Sequence, residues 1–473
     1  MSDNTLDDLI THSFPDVAVD KGASRRITAG QRAIPAFVRD WLVSRYTDGR
    51  NVDHERIGEF LAQHLPDKQQ REVLRNRLLN GEELVLLDGY EVTVDLNRGE
   101  RLLNIPSLDI FNARVRPTMV ERYPLLLSGP VWGAGRLEYR HTENGGEVWM
   151  TEFQPMQTAV VDLDYYIAQR SQFTIDQWQA LIVRSMGYNP DYYTPTQRLW
   201  LIQRLALLVE PRLNFIELAP KGTGKSYVLS QLSKYAWLIS GGIVTRAKLF
   251  YDMHLKAPGV ITKYDAVILD EVQTLKLKEE GEIIGALKGF LESGEFRVMG
   301  FAGNSEAGFA LLANIPIGPD EKPLQSGGRY GCYFDALPHW LHGPDATALL
   351  DRFHGLIPGW ELPRIKHHHL AEGMGLRADY LSEVLHALRL REEYAEFVSR
   401  FTRSEGDLRD IKAIQRIASA LLRLLFPDLQ IGGREFEHYC LQPAKTMRGL
   451  IREQLSIMDS EYKVQLAAVD CVL

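Results

Sequence analysis

The octapeptide Ala219-Pro220-Lys221-Gly222-Thr223-Gly224-Lys225-Ser226 decides the fold. The apolar run NFIEL (214–218) precedes it and SYVLSQLSKYA (226–236) follows it. A strand, a glycine-rich turn and a helix start are predicted in that order. Such a turn offers backbone N–H groups and a helix N-terminus to a polyphosphate. Lys225 would reach the β- and γ-phosphates and Ser226 would ligate Mg²⁺, so ATP with Mg²⁺ is the expected ligand pair. Gly222 and Gly224 permit close approach of the backbone. The position usually held by the first glycine is Ala219, a departure in loop geometry rather than in chemistry.

Working outward, the segment YDAVILDE (264–271) predicts a strand ending in two acids. Asp270 at its edge can hold the Mg²⁺ shell, and Glu271 can polarise an attacking water. RVMGFAGN (297–304) reads as a further strand ending in Asn304, which could orient water or touch the γ-phosphate; turn-forming Asn is the plainer alternative. LLDRFHGLIPG (349–359) sets Arg352 before a short apolar strand, where it could act as a finger on a neighbour's nucleotide. Arg409 opens a helix in GDLRDIKAIQRIAS (406–419).

Four textures divide the chain. Residues 1–80 show helical spacing, as in IPAFVRDWLVSRY (34–46) and REVLRNRLLN (71–80). Residues 81–165 carry short β-like runs broken by turn signals, a candidate DNA-binding domain, with a boundary within FQPMQTAVVDLDYY (153–166). Residues 166–365 alternate helices with the strand-like runs NFIELA, AWLISGG, AVILDE and RVMGFAGN, as in an α/β domain with a parallel sheet. Residues 366–473 return to strong helical periodicity. The stretch 305–345, rich in Gly and Pro, shows no clear element and reads as a mobile insertion.

With 473 residues, two to four domains are expected. The absence of any run of about 18 apolar residues argues against a membrane span. The polar start MSDNTLDDLITHSF resembles no targeting peptide. Cys332, Cys440 and Cys471 are scattered, which fits a reducing cytoplasm and no metal-ligand pattern. A net charge of −8 means that nucleic acid would have to bind through local basic surface. Candidates are Lys21, Arg25, Arg26 and Arg32; Arg114, Arg116 and Arg122; Lys276, Lys278 and Lys288; and Lys445, Arg448 and Arg452, which share a helical face by spacing. For each set, solvated surface is the alternative. His367–His369 reads as a connector rather than a metal site, and Trp132, Tyr165 and Tyr166 read as packing residues.

Phosphate loop, paired acids, strand-end Asn, Arg-Phe and the later Arg, in this order, resemble an AAA+ ATPase. The LLDRFHG segment is similar to the arginine-finger segment of the MCM helicase clade. A closer resemblance spans roughly residues 30–430. It runs through ELAPKGTGKSYVLSQLS, LISGGIVTRAKLFYDM, DAVILDEV, LDRFHGLIPGWELPRI and RDIKAIQRIASALLRLLFP, and through FQPMQ, FTIDQWQALIVRSMGYNP and IPAFVRDWLVSRY upstream. These look like the BrxL family, Lon-related ATPases of bacterial BREX phage-defence systems.

The resemblance implies an α/β AAA+ P-loop ATPase core with a helical lid. An N-terminal helical region with a β-barrel-like, OB-like part would precede it. It implies a hexameric ring, single or stacked, that encircles double-stranded DNA in phage defence alongside other defence-system proteins. Lys225 and Ser226 carry over as phosphate and Mg²⁺ contacts, Asp270 and Glu271 as metal-shell and base residues, Asn304 as sensor, Arg352 as trans-acting finger and Arg409 as lid sensor. Family members continue into a Lon-like protease domain with a Ser/Lys dyad. The sequence here ends at Leu473, so proteolysis by this chain is not expected. Two other classes stay open: a protein-remodelling ATPase and an ATP-dependent scaffold. An aromatic pore loop would favour the former, yet the Lys-bearing 276–288 tilts to DNA.

Overall fold

The computed structural model describes residues 3–473 except 29–33, 49–50, 97, 128, 143–144, 158–159, 255, 320–321, 325–330 and 343–345. The chain gathers into two compact units. One comprises Met1–Val161 with Glu372–Glu383, the other Asp162–Ala371 with Val384–Leu473. The division at 161/162 falls inside the aromatic, Asp-rich stretch 153–166. The textures 1–80 and 81–165 thus share a unit, and the segment 366–473 contributes to both.

In the first unit, helices Ala36–Arg45 and His54–His64 turn Val38, Leu42, Ile57 and Leu61 inward. The Asp53 carboxylate caps the second helix by accepting from the Arg56 N–H at 3.0 Å, which satisfies one of its orphan donors. Strands β1 (Leu84–Asp95), β2 (Glu100–Ile105), β3 (Ile110–Val115), β4 (Val131–Thr142) and β5 (Gly145–Pro155) close a barrel in the order β1-β2-β3-β5-β4. The β3–β5 pairing is parallel and the others antiparallel. Residues of β4 alternate buried and half-buried from Val131 to Glu138, the period of two expected of a strand with one face in a core. Trp132 packs against the helical core, whereas Tyr165, in the second unit, is 42% exposed and so is not the packing residue expected. Ala18–Asp20 pairs antiparallel with Met374–Leu376, so a strand from far along the chain completes this unit.

In the second unit, β6 (Asn214–Ala219), β7 (Ala236–Ser240), β8 (Ala266–Asp270), β9 (Gly308–Asn314) and β10 (Gly355–Pro358) form one sheet in the order β7-β8-β9-β6-β10. All four pairings are parallel. Every residue of β6 and β8 is buried, as a sheet covered on both faces requires. Helices Glu280–Ser293, Leu408–Leu425 and Gln442–Met458 belong to the same unit.

Two expectations fail here. RVMGFAGN is not a strand of the central sheet: Glu295–Val298 and Phe301–Asn304 form an antiparallel hairpin. Its turn residues Met299 and Gly300 both have positive φ, 45° and 83°, the twist that joins two strands tightly. The central strand is instead GFALLAN, inside the region 305–345 that showed no clear element. Of that region, 320–321, 325–330 and 343–345 lie outside the described residues. No described helix is long and apolar enough to cross a membrane. The described residues contain no His/Cys/Asp/Glu group that could hold a metal ion, and His369 Nδ1 accepts the Lys366 N–H at 3.0 Å.

Candidate active site

The parallel sheet brings the C-terminal edges of β6, β8 and β9 side by side, and the polar residues gather there. Ala219 ends β6, fully buried, and its methyl lies against Gly359. Pro220, also buried, leads into exposed Lys221 and Gly222, and Thr223 turns back inside. Gly222 and Gly224 have φ of 85° and 72°, left-handed values that glycine adopts without a Cβ penalty. Gly224 precedes the helix Lys225–Gln231, which places half-buried Ser226 in its first turn. That helix ends at Gln231, short of the run to 236 that the periodicity suggested.

Lys225 Nζ donates to Asn314 Oδ1 at 2.6 Å, and Asn314 is the last residue of β9. Burial pushes the Lys225 ammonium below the usual lysine range, while the Asp270 and Glu217 carboxylates hold it up. A lysine in this setting is an under-solvated cation, which favours an anionic partner. Asp270 closes β8, almost wholly buried, and its Oδ1 accepts the Glu271 N–H at 2.9 Å. Glu271 is exposed with φ 50°, so its carboxylate leaves the strand direction and faces solvent. Gln273 Oε1 accepts the Asn314 N–H at 3.4 Å, tying the two strand ends together.

Asn304 is therefore not beside Lys225 by way of the sheet: it pairs with Glu295 across the hairpin. The residue on Lys225 is Asn314, which the sequence reading missed. Its signal was a second apolar run, GFALLAN (308–314), that also ends in Asn.

Arg352 and Arg409 meet each other rather than the phosphate loop. Arg352 Nε lies 3.0 Å and Arg409 Nη2 3.1 Å from Glu292 Oε2. Arg409 also bonds Asp351, whose other oxygen lies 2.5 Å from the fully buried Arg448. Arg448 Nε reaches Asp410 at 2.7 Å, and Arg452 Nε joins the same carboxylate at 3.2 Å. Arg409, expected as lid sensor, thus shares Glu292 with Arg352 and forms half of an arginine pair.

This network also removes Arg448 and Arg452 from the candidate DNA surface, and Lys445 is bound to Glu437 at 3.0 Å. Spacings of three and four put them on one helical face, but that face is internal. Lys21 is likewise buried against Asp40 at 2.7 Å. Arg25 bonds Glu372, Arg26 lies 3.9 Å from it, and Arg32 lies outside the described residues. Arg114 sits between Glu100 at 2.8 Å and Glu147 at 3.0 Å. Arg116, Arg122, Lys276 and Lys278 are exposed, and Lys288 is half-buried.

The parallel sheet and the loop beneath Lys225 define a mixed α/β protein with an ATPase domain. The family description "Lon-like protease BrxL-like, ATPase domain" matches residues 148–467, and "BREX system Lon protease-like protein BrxL N-terminal" matches residues 12–139. The chain belongs to the BrxL family. It is 26% identical over 452 residues to a Lon-like protease BrxL of Bacillus cereus (strain H3081.97), covering 93% of this chain and 65% of the relative. It is 27% identical over 459 residues to one of Escherichia coli O9:H4 (strain HS), covering 95% and 64%. The chain thus spans a little under two thirds of the length of the curated relatives it matches.

Proposed function

We propose that this chain is an AAA+ ATPase that assembles as a closed ring around double-stranded DNA in BREX-type phage defence. The observation that carries the reading is the Lys225–Asn314 bond beside Asp270 and Glu271, at the edges of adjacent parallel strands. The loop residues fit a triphosphate: two left-handed glycines, a buried ammonium and a helix start meet at one point. Ser226 and Asp270 would hold Mg²⁺, which supplies charge neutralisation on the phosphates when bound. Asn314 would take the sensor role in place of Asn304, and solvent-facing Glu271 would accept a proton from water.

Arg352 and Arg409, gathered on Glu292, would together face the nucleotide of the next subunit. A site completed in this head-to-tail manner needs a heterologous interface, which makes a ring where its rotation closes. The DNA reading is supported by the barrel, whose strand order and single parallel pairing match those of OB folds, a class that binds nucleic acid. Exposed Arg116 and Arg122 in the barrel unit and Lys276 and Lys278 in the ATPase unit supply cationic surface. Other defence-system proteins are candidate partners.

The test is imaging of the Glu271→Gln protein with ATP, with and without duplex DNA. Rings with DNA in the channel are expected. Monomers under both conditions would overturn the ring, and rings that stay empty would return the protein-remodelling alternative. Binding should weaken steeply with salt.

A further inference from the structure

The phosphate loop is held from behind at three successive carbonyls, each by a donor from a different element. The Gly222 carbonyl accepts the Ile365 N–H at 2.8 Å. The Thr223 carbonyl accepts Arg204 Nη1 at 3.2 Å. The Gly224 carbonyl accepts the Tyr188 hydroxyl at 3.1 Å. In a trans peptide the C=O and the following N–H point in opposite directions. Fixing these carbonyls therefore turns the N–H groups of Thr223, Gly224 and Lys225 away from the donors.

Arg204 and Tyr188 have no access to solvent that would explain them otherwise: Arg204 is 0% and Tyr188 1% exposed. Arg204 is anchored by a forked pairing with Glu217 of β6, with Nη2–Oε1 at 2.6 Å and Nε–Oε2 at 3.2 Å. Burial alone would lower the Arg204 pKa, but Glu217 outweighs it and the guanidinium stays charged. Burial also pushes the Tyr188 phenol up, so it remains a donor. A buried ion pair is a costly way to stabilise a fold and is retained more readily where it sets geometry.

We propose that Arg204 and Tyr188 are positioning residues that set the phosphate loop in its anion-binding form before ligand arrives. This rests on the reading of Lys225 and its loop as an ATP site. Neither side chain touches the phosphates; each acts through a loop carbonyl. Ile365, which follows β10, adds the third tie, so the connection into the lid also bears on the loop.

The experiment compares full-length wild type, Tyr188→Phe, and the paired Arg204→Met with Glu217→Met, which removes both buried charges at once. Binding of ATP, ADP and AMP is measured by calorimetry, with melting recorded without nucleotide. The expected result is an ATP-to-AMP affinity ratio lowered about tenfold in each variant, the scale of one lost hydrogen bond at a preorganised site. Arg204→Lys should restore the melting temperature lost on removing the pair, but not the ratio, because an ammonium cannot fork between Glu217 and the Thr223 carbonyl. A purely structural role would move melting and leave the ratio at the wild-type value, which would overturn the proposal. If the paired variant does not fold, Tyr188→Phe, a one-atom deletion, decides alone. Wild type that binds no ATP would instead sink the ATP reading itself.

Discussion

Ala219 and Gly359 are paired by shape: a Cβ built on Gly359 would lie 2.5 Å from the Ala219 Cβ. The methyl that replaces the first glycine of the usual loop is therefore accommodated by a glycine after β10. The departure seen in the sequence is compensated 140 positions away, and the loop keeps its form.

Gly359→Ala should accordingly destabilise the protein. The new methyl would also meet Glu217 Oε1 at 2.8 Å and the Leu218 carbonyl at 3.0 Å. A loss of about 1–3 kcal/mol is expected from overpacking, read as a lower midpoint in denaturant. Adding Ala219→Gly should recover only part, since the other two contacts remain.

Asn314→Ala and Asn304→Ala separate the two candidate sensors. The first removes the group bonded to Lys225 and should lower ATP turnover roughly 10²-fold, the scale of losing one preorganised polar group at a reacting centre. The second alters a hairpin and should leave turnover near wild type. The reverse ranking in a steady-state ATPase assay would restore Asn304.

Glu271→Gln should bind ATP normally and lose turnover by about 10²–10⁴-fold, the range for removing a general base. Filter binding and phosphate release measured on one preparation check both halves. Wild-type turnover would end the assignment.

Arg352→Ala and Arg409→Ala should each abolish turnover, and each should regain it when mixed with Lys225→Ala subunits. Complementation of that kind arises only if the arginines serve a neighbour's site. A mixture as inactive as its parts would contradict the shared site.

Stability should also fall on mild acidification. Burial holds His354 well below the usual histidine range, with nearby Arg416 and Arg448 adding to the effect. Its folded pKa is depressed, so the unfolded chain binds the extra proton first as pH drops. The stabilisation is full above about pH 6.5 and is lost below it, at up to about 1.4 kcal/mol per pH unit. Melting curves of wild type and His354→Gln between pH 7 and 5 should converge; parallel curves would exclude His354 as the source.

The loop, the paired acids and the parallel sheet were legible because each rests on local chemistry: glycines at a turn, acids after a buried strand. Asn304 misled because RVMGFAGN and GFALLAN both end in Asn, and only pairing distinguishes them. The hairpin turn is Met299-Gly300 rather than Asn-Gly, so its usual signal was absent. The inward face of Arg448 and Arg452 was not legible either. Spacing of four places two side chains on one side of a helix, but what that side meets is set by Asp351 and Asp410, far away in the chain. The same holds for Arg204, whose partner Glu217 is recognisable only as an acid inside an apolar run.

The strand Met374–Leu376, paired with Ala18–Asp20, means that the unit holding the barrel is not simply the front of the chain. The polypeptide leaves it at 161, re-enters at 372 and departs again at 383. A protease nick between Val161 and Asp162 would leave residues 1–161 joined to the rest without a covalent bond, held to 372–383 by pairing and packing such as that of Ala18–Asp20 on Met374–Leu376. For the same reason, a graft of this unit onto another ATPase must carry both stretches, or residues 18–20 would be left as a bare edge open to pairing with a stranger.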